Sequence, residues 1–174
     1  MENILYSANL AIHILAAVFC VAAPFYQLRW VKLRGKLGFP LIFPFDNTME
    51  KVLHLQVRLC FFLISVLVLT GFGFPLIHYA FHGQFMKISP LATYIFATKV
   101  VLALFGLAIN FHGVWILDPE IQATFASFSP TAQPSDEILN RFWRLRSLRK
   151  SLCQFCFGLA LIIVAITPIL RFYK

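Results

Sequence analysis

Long apolar runs separated by short polar stretches dominate the chain. Four runs reach the roughly 20 residues a helix needs to cross the hydrocarbon of a bilayer: Ile4–Gln27, Val52–Phe81, Leu91–Trp115 and Leu152–Phe172. This pattern predicts an all-α fold: an integral membrane four-helix bundle forming one transmembrane domain over residues 1–174, with no internal repeat. The first run reads as a membrane helix and not a cleavable leader. MENILYSANL has no basic n-region, and the apolar run continues to Pro24 without a cleavage site.

The interruptions predict how the spans begin and end. Asn47 followed three residues later by Glu50 forms a capping-box pattern that would start the second helix ahead of the membrane. Gly71, Gly73 and Pro75 predict a kink near its far end, with His78 and His82 beyond it. Residues 118–135 read as a loop, Pro/Ser-rich at SFSPTAQPS. Ser135, Asp136 and Glu137 then open a short basic helix that carries Arg141 to Lys150 into the fourth span.

Charge orients the bundle. Arg29, Lys32, Arg34, Lys36, Lys51 and the five basic residues from Arg141 to Lys150 flank the spans on one side, against Lys87, Arg171 and Lys174 on the other. The positive-inside rule therefore predicts an N-out/C-out arrangement with both longer loops, and the basic helix, in the cytoplasm. A net charge of +8 invites nucleic acid as a partner, but the basic residues sit beside apolar spans. An anionic lipid surface is the expected counterpart, and the basic run is expected to act as a topology signal or headgroup contact.

Composition narrows the chemistry. With 60% apolar and 13% charged residues, the chain lacks the material for a water-facing shell. All seven acids fall outside the apolar runs, which argues against an acid-based proton relay or a dication site within the spans. Cys20, Cys60, Cys153 and Cys156 lie in apolar runs and read as small fillers. The Cys153/Cys156 pair opens a membrane helix and lacks the soluble strand-to-helix setting of a thioredoxin-like site. The twenty phenylalanines and three tryptophans read as packing and interfacial anchors.

Polar residues left inside the spans are the functional candidates. His13 and Lys99 each fall roughly 12–14 Å from the outer edge at ~1.5 Å per residue, so they could meet across helices one and three. His13 shares a face with Ala16, Ala17, Cys20 and Pro24. That small, flat surface suits either close helix packing or a macrocycle whose iron is ligated by His13. Lys99 heads a similar face with Ala103, Gly106 and Asn110, where it would balance a propionate or another anion, or else snorkel outward. On the cytoplasmic side His54 and Arg58 lie one turn apart, and His112 approaches the same level. Two haems are geometrically allowed, His13 with His78 outside and His54 with His112 inside. The alternative is a set of interfacial histidines and an arginine contacting headgroups.

The order of these features resembles the bacterial membrane protoporphyrinogen oxidase family and, more loosely, copper-resistance-protein-D-like membrane domains. It consists of His13 followed by FYQLR, MEK before span two, Lys99 in span three and a basic helix entering span four. The resemblance implies a haem b site in which His13 and Lys99 take the places of the family's functional histidine and lysine. It also implies a multi-pass protein of the bacterial cytoplasmic (inner) membrane. RFWRLRSLRKSL lacks the family's arginine followed by asparagine–glutamate, and Ala97 and Thr98 replace an expected aromatic residue before Lys99.

Three functions are consistent with this reading. The leading expectation is a haem-b-binding subunit of a membrane complex that passes electrons to or from a quinone or a partner redox protein. His13 is its axial ligand, Lys99, Asn110 and Arg58 are its cofactor contacts, and His78, His54 and His112 are further metal ligands. The alternatives are a protoporphyrinogen oxidase-like enzyme of haem biosynthesis and a cofactor-free structural subunit.

Overall fold

The first three apolar runs fold into helices that overrun them at both ends, and the fourth into a helix that begins well before it. A computed structural model describes residues 1–37, 43–85, 89–128 and 134–168, and every regular element among them is helical. Helix α1 spans Glu2–Lys36, α2 Phe43–His82 and α3 Pro90–His112. A π-helical turn, Gly113–Leu117, leads from α3 directly into α4, Asp118–Ala126, and α5 spans Asp136–Ile166. Four helices, counting α3 to α4 as one, are long and apolar enough to cross a membrane. Helices α1 and α3 each pack against both α2 and α5, which closes a four-helix ring.

Local chemistry accounts for several boundaries. Ser89 caps α3, its hydroxyl accepting from the Ala92 amide at 3.3 Å, and Pro90 occupies the first turn, where its missing N–H is harmless. Gly83 ends α2 in the left-handed conformation, φ 67°, with its amide donating to the Tyr79 carbonyl at 2.8 Å. Pro24 and Pro75 sit inside α1 and α2, which continue through them unbroken. Near Pro24, side chains of other helices add hydrogen bonds to the carbonyls: Gln56 donates to Ala23 and the Cys153 thiol to Pro24.

Three expectations about the connections are revised. Asn47 does not start α2. The helix begins at Phe43, and Glu50 turns its carboxylate to arginines of α5 instead of back onto the chain. The segment from Asp118 is helical as far as Ala126, so the connection is shorter than the Pro/Ser composition suggests. The basic stretch is not a separate short helix but the first part of the continuous 31-residue α5. Lys87 and the end of the fourth run at Phe172 lie outside the described residues.

Burial is strongly uneven. The apolar core consists of Leu117, Ile121, Phe125, Phe128, Phe142 and Leu145 at the end carrying the basic residues, with Phe43 stacked on Phe125 at 5.6 Å. Towards the opposite end, α2 has no buried residue after Leu63 and α1 none before Ala16.

Candidate functional site

In the sparsely buried half of the bundle, α1 and α2 approach closely because Gly71 and Gly73 of α2 make room for His13 and Asn9 of α1. A Cβ added at Gly73 would lie 2.7 Å from Asn9 Oδ1, and one at Gly71 would lie 3.8 Å from His13 Cε1. The Asn9 amide donates to the Thr70 carbonyl at 2.9 Å, and His13 Nδ1 meets Thr70 Oγ1 at 2.7 Å. The small-residue face of His13 therefore serves helix packing, with Ala16 buried.

Thr70 Oγ1 also lies 2.6 Å from the Val66 carbonyl; with the hydroxyl proton directed there, its oxygen accepts from His13 Nδ1–H. Nε2 then carries the lone pair, and it has no hydrogen-bond partner among the described residues. The half-buried Lys99 lies within coulombic reach of this ring and makes no hydrogen bond or ion pair to any described residue. Each group is left without a partner among the described residues: an imidazole nitrogen on α1 and an ammonium on α3.

The other candidates disperse. The Asn110 amide donates to the Gly106 carbonyl at 2.8 Å and reaches Cys156 Sγ at 3.6 Å, beside a cavity of about 50 Å³ that Gln27, Cys60, Arg149 and Cys153 also line. That volume suits one or two waters, at roughly 30 Å³ each. Arg58 and His112 are exposed. His78 lies eight residues beyond Thr70, about 12 Å along the helix axis, and its ring stacks near His82 instead. His54 Nδ1 bonds to Asp118 Oδ2 at 2.5 Å, six residues past His112. The contacts these histidines make are with other partners: His13 with Thr70, His54 with Asp118 and His78 with His82.

At the basic end the structure contains a buried ionic network that the sequence reading missed. Arg34 grips Asp46 with two parallel hydrogen bonds, Nε to Oδ1 at 2.8 Å and Nη2 to Oδ2 at 2.9 Å. Arg146 bridges Asp46 and Glu50, each at 2.7 Å, while Arg149 Nη2 donates to both Glu50 oxygens at 2.8 Å. Arg149 Nη1 faces Asp118 Oδ1 at 4.0 Å, which brings His54 into the network through Asp118. None of the six charged residues is more than 8% exposed. Phe142 lies against the Arg146 guanidinium at 4.5 Å, and Trp143 lies near both Arg146 and Arg34. Three of the basic residues assigned to headgroup contact are therefore internal ties joining α1, α2, α4 and α5.

The signal for this network was spacing. Asp46 and Glu50 at i,i+4 face Arg146 and Arg149 at i,i+3, so each pair forms one helical face.

No family model, curated protein or solved structure matches the chain. The site must therefore be read from its own chemistry.

Proposed function

We propose that the chain is a haem-b-binding protein of the bacterial cytoplasmic membrane, a subunit of a membrane complex, that passes electrons to or from a quinone or a partner redox protein. One observation carries this reading: among the described residues His13 Nε2 has no hydrogen-bond partner, and the half-buried Lys99 ammonium within coulombic reach of it has no hydrogen bond or ion pair. An imidazole held through Nδ1–H with Nε2 open is the arrangement that a metal-ligating histidine needs. An uncompensated ammonium within an apolar span calls for an anion, which a haem propionate supplies. The donor set therefore fits the group: His13 would ligate iron, Lys99 would hold a carboxylate, and Thr70 would orient His13. Bound haem b would supply a one-electron ferric/ferrous couple.

The proposed orientation places the basic end in the cytoplasm and the ends of the chain outside. Even with Arg34, Arg146 and Arg149 consumed by the network, Arg29, Lys32, Lys36, Lys51, Arg141, Arg144 and Lys150 remain exposed at that end. They support the positive-inside assignment.

The test is optical. Purified protein should show reduced-minus-oxidised bands of haem b, and His13→Ala should abolish them. A folded, colourless wild-type protein from haem-replete cells would support a structural subunit instead. In the oxidase-like reading, His13 and Lys99 would hold a tetrapyrrole as substrate. Rescue of a strain lacking protoporphyrinogen oxidation would favour that assignment over electron transfer.

A further inference from the structure

We infer a second, independent site: a divalent transition-metal site formed by Glu2, His78 and His82 at the end of the bundle remote from the basic residues. Each of these side chains offers a ligand atom, and the three atoms lie within 4.8 Å of one another. His78 and His82 stand one turn apart on α2, with ring centroids 4.4 Å apart and planes inclined by 33°. His82 Nε2 already meets Glu2 Oε1 at 3.1 Å, closing the set across the first turn of α1 and the last turn of α2.

The donor chemistry selects the ion. Two imidazoles and one carboxylate are a familiar zinc set, with bonds of about 2.0–2.2 Å and a fourth position open to water or another ligand. Donors around a tetrahedral zinc stand about 3.4 Å apart at those bond lengths. The Glu2–His82 separation already matches this, and His78 needs only a small side-chain adjustment.

Two features of the chain support a cation here. The site sits at the C-terminal end of α2, which Gly83 stops immediately after His82, so the carbonyl end of the helix faces it. Glu2 and His82 are also partly exposed, at 34% and 45%, which leaves the ion a path from solvent. Binding would use the imidazole lone pairs and the carboxylate without any change of oxidation state. It would also tie α1 to α2 in the half of the bundle with the fewest buried contacts. The site uses neither His13 nor Lys99, so it stands or falls separately from the haem assignment.

Zinc binding to the full-length protein, purified in detergent without a polyhistidine tag, tests the proposal. Titration with Zn²⁺ should give one ion per chain and raise the melting temperature, since the ion binds the folded state alone. His78→Ala and His82→Ala should each weaken binding at least about tenfold, and the double variant should lose the zinc-dependent rise. Glu2→Gln tests the third ligand with little change of shape and should also weaken binding. Melting in the absence of zinc checks that each variant is folded. Absence of stoichiometric zinc binding by the wild-type protein would overturn the proposal. So would zinc binding that persists unchanged in a folded His78→Ala/His82→Ala variant.

Discussion

Thr70 decides what His13 can do. Its hydroxyl is committed to Val66, so it accepts from His13 Nδ1 and leaves Nε2 open. Thr70→Val removes that acceptor while keeping the shape, and haem affinity should fall about 10–100-fold, as for other lost outer-shell partners. His13→Ala should instead remove the haem outright, a difference that a haem titration resolves. Lys99→Gln removes a positive charge that favours the reduced iron. The midpoint potential should therefore fall, by about 40–90 mV if the charge contributes about 1–2 kcal/mol. A potentiometric titration showing no fall would separate Lys99 from the redox centre.

At the scale of elements, the two ends of the bundle are held by different forces. The basic end combines an aromatic core with the Arg34, Asp46, Glu50, Arg146 and Arg149 network. Arg146→Met leaves two buried carboxylates short of a cation and should destabilise the fold by about 3–5 kcal/mol. Arg141→Met breaks only the exposed pair with Glu120 and should change stability by about 0–1 kcal/mol. Thermal melts of the two variants in detergent measure the contrast directly. Equal melting temperatures would mean that the buried network does not hold the helices together. At the opposite end, Gly73→Ala would crowd Asn9 away from the Thr70 carbonyl and should loosen the α1–α2 contact.

The same elements show what the sequence could and could not reveal. Hydropathy located all four spans, because the need to satisfy the backbone inside lipid leaves a strong signal. Rise per residue also assigns His13 and Lys99 similar expected depths once the spans are located. Thr70 was not, because a threonine in an apolar run usually bonds its own helix, and nothing local marks a second role. The ionic network escaped for a different reason. Asp46, Glu50, Arg34, Arg146 and Arg149 all lie beyond the apolar runs, where charge ordinarily implies solvent. The helical extensions of α1, α2 and α5 beyond the apolar runs bring them together.

At the scale of the whole molecule, the bundle has a tightly packed basic end and a sparsely buried end that contains the His13–Thr70 contact. The proposed topology places the tight end in the cytoplasm. In a cysteine-free background, Lys36→Cys should resist a membrane-impermeant thiol reagent in intact cells and react in inverted vesicles. Gln84→Cys, exposed at the other end, should show the reverse. The opposite labelling pattern would invert the assignment without disturbing the fold. The most direct test of the central claim is a quantitative haem b assay on the purified, folded protein at known concentration. The account predicts one haem per chain, with its bands absent in His13→Ala; a haem-free wild-type protein from haem-replete cells, or a haem content unchanged in His13→Ala, would contradict it.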